Sequence, residues 1–234
     1  MRVNNLVIET TRRCPLECSH CLRGDTQQID MVAHYLNDFL KPVTEIGMIT
    51  FTGGEPFLNP DCIEHFINTC KRNNIYVGDF YIATNGLIFN EYSALAEKGL
   101  MQIARLYALC CDNDVSSIDI SRTQFHEGKI DNSNLLYAFK FVGEREPMSD
   151  NSIIAEGRAL EYGLGTRSLN TEDLINWDYP EDVTFYLNCK GEVCFDCDFS
   201  YETQDEVSIS IEEAHTIMKQ LEEAEEQNSL EAYG

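Results

Sequence analysis

Three cysteines, Cys14, Cys18 and Cys21, fall within eight positions near the start of the chain. Thiolates this close can share a metal. A structural zinc site is usually closed by four ligands, so three thiolates leave it one short unless a distant residue completes it. A [4Fe–4S] cluster also takes four cysteines as a rule, and three would leave one iron open to a substrate or cofactor. Spacing alone does not choose between the two. A second trio, Cys189, Cys194 and Cys197, brackets Gly191. Two further stretches carry chemistry. Gly53-Gly54-Glu55-Pro56 offers two glycines that let a ligand approach backbone closely, a carboxylate suited to a cationic amino group, and a proline that stiffens the loop. Thr84-Asn85-Gly86 is the other.

The elements that must position these residues alternate. Residues 3–9 read as a strand feeding the first cysteines, 28–41 as a helix, and 46–52 as a strand ending at Gly53-Gly54. A helix follows from Pro60 with Asn59 as its cap, then a strand over 76–83, a helix over 91–110 broken at Gly99, and a strand over 115–121. A helix around 132–138 and a strand around 138–142 are weaker. Such alternation argues for a parallel sheet with crossover helices, whose strand ends form the ligand face. Beyond residue 165 the pattern changes. Residues 183–201 read as a hairpin turning at Lys190-Gly191. Ser210 with Glu213 forms a capping box for a helix with Ile211, Ala214, Met218 and Leu221 on one face, and the last dozen residues look frayed.

The Cys14-x3-Cys18-x2-Cys21 spacing, Gly-Gly-Glu-Pro at 53–56 and Thr-Asn-Gly at 84–86, in this order along alternating strands, resemble the radical SAM superfamily over roughly residues 3–160. The resemblance implies an α/β fold, a partial (β/α)6 TIM-type barrel over residues 1–165. A C-terminal extension over 166–234 would add a cysteine-bearing β-hairpin and an acidic helix and tail. It implies that Cys14, Cys18 and Cys21 hold a catalytic [4Fe–4S] cluster whose fourth iron is chelated by S-adenosylmethionine. Gly53, Gly54 and Glu55, with Pro56 behind them, would hold the methionine amino group. The backbone of His20 would face the adenine, Ser121 the ribose, and Asn85 would lie near the same pocket. Ser and Asn are also common in loops for turn geometry alone. Reductive cleavage would give a 5′-deoxyadenosyl radical that abstracts a substrate hydrogen, with the electron from an external flavodoxin or ferredoxin type donor.

The second trio loosely resembles the auxiliary-cluster segments of the SPASM and twitch lineage, as does Glu-Gly-Arg-Ala at 156–159. The seven-cysteine SPASM pattern is absent. A second iron–sulfur cluster on Cys189, Cys194 and Cys197 is one reading, with Cys110, Cys111, a substrate group or nothing as fourth ligand. Zinc, a redox pair or unliganded thiols are the others, because Cys194 and Cys197 would face opposite sides of a regular strand. Cys62, Cys70, Cys110 and Cys111 read as core packing, and His126, after the fourth strand, as a surface loop residue, with a place lining the mouth as the other reading.

The 234 residues are 43% apolar and 24% charged, with ten cysteines. No apolar run nears the roughly 18 residues of a membrane helix, and no signal peptide is read, so a cytoplasmic place is expected. The net charge of −23 repels phosphate backbones and lowers the expectation of a nucleic-acid partner. Residues 202–231 hold ten acidic side chains and a single Lys, read as a solvated face. The leading expectation is an oxidoreductase-type enzyme that modifies a peptide or protein side chain. Kept beside it are the same chemistry on a small molecule such as a nucleotide or sugar, a glycyl-radical enzyme activase, and a noncatalytic metal-binding interaction module.

Overall fold

A computed structural model describes residues 1–126, 133–145, 148–167, 169, 171 and 174–232. In chain order its elements begin with β1 (Arg2–Thr11), α1 (Ala33–Leu40), β2 (Glu45–Gly53), α2 (Pro60–Asn73) and β3 (Tyr76–Thr84). Next come α3 (Ala94–Tyr107), β4 (Ser117–Ser121), β5 (Val142–Arg145) and α4 (Gly157–Glu161). The chain ends with β6 (Thr184–Leu187), β7 (Glu192–Cys194), α5 (Tyr201–Val207), β8 (Ile209–Ser210) and α6 (Ile211–Ala232).

The strands form one open sheet in the order β5-β4-β3-β2-β1-β6-β7-β8. The first six run parallel to their neighbours; β7 and β8 are antiparallel. The α/β fold with parallel strands is therefore present, and six strands build its parallel part. The sixth is the first arm of the expected hairpin, and it joins the outer edge of β1 rather than following β5. Lys190-Gly191 makes the turn, and a side chain at Gly191 (φ +79°) would meet the Tyr35 ring at 2.3 Å.

Apolar alternation explains the core. Val3, Leu6 and Ile8 of β1, Ile49 and Phe51 of β2, and Phe80 and Ile82 of β3 are buried with Phe39, Phe66 and Ile103 from α1, α2 and α3. Cys62 and Cys70 are in this core, as expected, and so is Cys110; Cys111 is exposed, which corrects its reading as a packing residue. Met218 and Leu221 of α6 close the sheet near β6, and the capping box forms, with Ser210 Oγ accepting from the Glu213 N–H at 3.2 Å.

Five local expectations are corrected. The helix over 28–41 starts only at Ala33, because residues 29–31 pair with the end of β1: Arg12 N donates to Ile29 O and Met31 N to Thr10 O. Asn59 does not cap α2 with its side chain, which donates to Thr10 O at 2.8 Å. Gly99 does not break α3; it makes room for Phe89, whose ring a Cβ would meet at 2.8 Å. The fifth strand lies at Val142–Arg145, after Phe139 and Phe141 have turned into an aromatic stack with Tyr107. The final helix also continues to Ala232.

Candidate active site

The first cysteine trio lies on the loop that leaves the carboxyl end of β1. The loop is tied to itself: Cys21 N donates to Cys18 O, Gly24 N to Cys21 O, and Cys14 N to Thr26 Oγ1 at 3.0 Å. No cysteine forms a disulfide. Burial pushes the Cys14 thiol up to about 11, with the charges of Glu55, Cys21 and Cys18 adding to the shift. The Asn85 side-chain N–H points at Cys14 Sγ from 3.8 Å. A bare thiol there keeps its proton at neutral pH, while a bound cation would replace it. Three thiols on one loop, with an amide donor beside one sulfur, are the donor set an iron–sulfur cluster takes.

The loop is anchored through two arginines. Arg12 is wholly buried: its Nε donates to Glu9 Oε1 at 2.7 Å, Nη2 to Gln204 Oε1 at 2.9 Å, and its guanidinium lies over the Tyr201 ring at 4.4 Å. Arg13 donates to Asp30 and to Leu58 O, at 2.8 and 2.7 Å. Glu9 also accepts from the Tyr186 hydroxyl at 2.7 Å and from Cys189 N at 3.0 Å. Sequence reasoning passed over Glu9, Arg12 and Tyr186. The doubled Arg before Cys14 was a faint signal, but buried partners 177 and 192 positions away leave no pattern in the sequence.

Gly53 and Gly54 meet this loop directly. Gly54 N donates to Thr11 O and Glu55 N to Arg13 O, at 2.7 and 2.8 Å. A Cβ would come within 2.2 Å of Thr11 O at Gly53 (φ +138°) and of Arg13 O at Gly54. The protein's own backbone therefore approaches both glycines closely. Glu55 is 1% exposed and accepts from Thr84 Oγ1 at 2.7 Å, Asn85 N at 2.8 Å and Phe57 N at 3.2 Å. Burial nonetheless pushes its carboxyl up to about 7. Its carboxylate stitches the Gly-Gly-Glu-Pro and Thr-Asn-Gly loops together. Pro56 is buried, and its carbonyl accepts from Thr10 Oγ1 at 3.2 Å.

The His20 ring stacks on Phe125 at 4.5 Å and meets His126 edge-on at 5.2 Å, and its buried Nδ1 has no hydrogen-bond partner among the described residues. Burial, then His126 and Arg145, bring His20 down to about 4, so it is neutral at physiological pH. His126 is thus half-buried against the cysteine loop, not a bystander on the surface. Ser121 ends β4 in register with Arg145 of β5.

The second trio is not drawn together by mutual contacts. Cys189 Sγ donates to Glu9 O at 3.1 Å, Cys194 Sγ lies 3.0 Å from Ser208 Oγ, and Cys197 Sγ faces Asp198 Oδ1 at 3.7 Å. Burial pushes all three thiols up, Cys194 and Cys197 to about 11. Among the described residues, the side chains whose ligand atoms lie within 4.8 Å of one another are Asp196, Cys197 and Asp198. Cys110 and Cys111 sit by Val77 at the start of β3, the opposite end of the sheet from Glu9 and Cys189, which removes them as partners of the trio.

The family model of the Radical SAM superfamily matches residues 8–107. PqqA peptide cyclase of Gluconobacter oxydans is 30% identical over 106 residues, 42% of this chain and 28% of that protein. GTP 3′,8-cyclase of Chlorobaculum tepidum is 34% identical over 103 residues, 42% of this chain and 31% of that protein. The match thus spans about a third of the length of these curated relatives. Among solved structures, native anSMEcpe with bound AdoMet and Kp18Cys peptide superposes with a TM-score of 0.48 at 14% identity, over 94% of this chain and 80% of that one. Among the described residues no helix is long and apolar enough to cross a membrane.

Proposed function

The chain belongs to the radical SAM superfamily through residues 8–107, and from that premise we propose that it is an S-adenosylmethionine-dependent enzyme acting on a peptide side chain. Cys14, Cys18 and Cys21 would hold a [4Fe–4S] cluster, which when bound would supply the electron for reductive cleavage of S-adenosylmethionine. The protein's part is placement. Thr11 and Arg13 lock Gly53 and Gly54 beside the thiols, and Glu55 fixes the Asn85 backbone while the Asn85 amide turns to Cys14. The neutral His20 ring, stacked on Phe125, closes one side of the loop against water. Ser121 and Arg145, paired at the ends of β4 and β5, offer polar contacts to the cofactor or substrate.

The observation that carries the peptide reading is the open sheet, which among the described residues leaves β5 unpaired on its outer edge. An open mouth admits one side chain of a longer chain. The net charge of −23 weighs against a nucleoside triphosphate. The likeness to GTP 3′,8-cyclase supports the small-molecule alternative, and a second cluster on the C-terminal cysteines remains part of this proposal.

Anaerobically reconstituted protein, reduced with dithionite in the presence of S-adenosylmethionine, should release 5′-deoxyadenosine. The variant with Cys14, Cys18 and Cys21 all changed to Ala should release none; wild-type rates in that variant would sink the assignment. Mass spectrometry should then show a mass change on candidate peptides and none on guanine nucleotides. The reverse result would move the substrate to the nucleotide class.

A further inference from the structure

The Glu156-Gly157-Arg158 turn at the start of α4 belongs to none of the roles above, yet its three residues each grip something different. Gly157 (φ +51°) lies flat on the exit of the cysteine loop, where a Cβ would stand 2.4 Å from Gly24 N and 2.5 Å from Leu22 O. The Arg158 backbone N–H donates to Cys21 O at 3.0 Å. Its side chain, 8% exposed as a residue, donates through Nε to Asp25 at 2.9 Å and lies within electrostatic reach of Cys21 and Glu17. The Glu156 carboxylate accepts from Thr203 Oγ1 at 2.8 Å and from Ser200 N at 3.4 Å, at the start of α5. The turn therefore fastens the exit of the loop on one side and the C-terminal segment on the other.

We propose that Glu156-Gly157-Arg158 is a positioning clamp for the cysteine loop, and that the Arg158 guanidinium raises the reduction potential of the iron–sulfur group at Cys21. The second half rests on the reading of Cys14, Cys18 and Cys21 as cluster ligands. A reduced cluster carries one more negative charge than an oxidised one, so a buried cation beside a ligand favours reduction. Asp25 offsets that cation only weakly, because its side chain is 82% exposed and solvent screens it. Arg23 stands closer in sequence to Cys21, but its guanidinium is turned to the carbonyls of Cys197 and Phe199 and its charge faces Glu9.

The test is a redox titration of the reconstituted full chain, following the cluster by electron paramagnetic resonance. Arg158→Gln should shift the midpoint to more negative potential, Arg158→Lys should restore it, and Asp25→Asn should shift it the opposite way. A merely structural role would move Arg158→Gln and Asp25→Asn in the same direction. No shift in Arg158→Gln, or one of the same sign in both, overturns the electrostatic role. On the metal-free chain, Gly157→Ala should speed hydrogen exchange at the amides of residues 22–25 while leaving α2 unchanged, and unaltered exchange at 22–25 overturns the clamp. Failure of the wild-type chain to take up iron would instead overturn the ligand reading, and the exchange measurement would still decide the clamp.

Discussion

Glu55 shows how a residue legible in type can carry protein partners that the sequence does not reveal. Beside the cationic amino group expected for it as a ligand, three protein donors hold its carboxylate in the fold. Its carboxyl is raised to about 7 by burial, against an ordinary value near 4.5. Folding therefore takes up a proton there, so this contribution to stability is complete below pH about 4.5 and is lost as pH rises through about 7, by about 3 kcal/mol at most. His20, lowered to about 4, acts oppositely: its contribution is present above pH about 6.5 and is lost as pH falls through about 4. Subtracting the denaturation curves of Glu55→Gln from those of wild type should isolate the first slope. The amide introduced by Glu55→Gln would also leave one buried N–H without an acceptor and should cost about 1–3 kcal/mol at low pH. A pH-independent difference would show that Glu55 stays ionised in the fold. Gly54→Ala drives a Cβ into the Arg13 carbonyl, and calorimetry should find it strongly destabilised, with iron uptake reduced.

At the scale of elements, local signals were read well and long-range ones poorly. The Ser210 and Glu213 box was visible because its partners are three residues apart, and Ser210→Ala should cost about 1 kcal/mol in chemical denaturation without touching iron content. The pairing of residues 29–31 with the end of β1 was invisible, because apolar spacing at Ile29 and Val32 suits a helix as well as an extended return. The tie between β1 and the C-terminal segment through Glu9, Arg12, Tyr186 and Gln204 was equally hidden. Removing one partner of a buried ion pair leaves the other charge without compensation. Arg12→Ala should therefore destabilise by about 3–5 kcal/mol, and Arg12→Ala combined with Glu9→Ala by less than the two single losses added. Additive losses in that double-mutant cycle would show that the pair is not coupled.

On the scale of the whole molecule, the C-terminal hairpin decides what the C-terminal cysteines can do. Its first strand adds to the free edge of β1, so Cys189 is carried to Glu9 while Cys194 and Cys197 are left to other partners. Iron analysis of the reconstituted chain should read about eight irons if these thiols hold a second [4Fe–4S] cluster, and about four if they do not. Changing Cys189, Cys194 and Cys197 to Ala should remove the difference without abolishing 5′-deoxyadenosine release. What the sequence determined by itself was local: strands and helices from their periods, the turn at Gly191, the capping box, and three thiols on one loop after the first strand. These follow from residues near one another in the chain, where backbone geometry leaves few choices. The tertiary structure alone decided that β6 lies beside β1, that Gly53 and Gly54 are pressed on by Thr11 and Arg13, that Glu55 binds the Thr84 loop, and that Gly157 rests on Gly24. Each is a contact between distant segments, fixed by burial and by the need to pair every buried polar group, and no spacing along one chain encodes which partner will fill it.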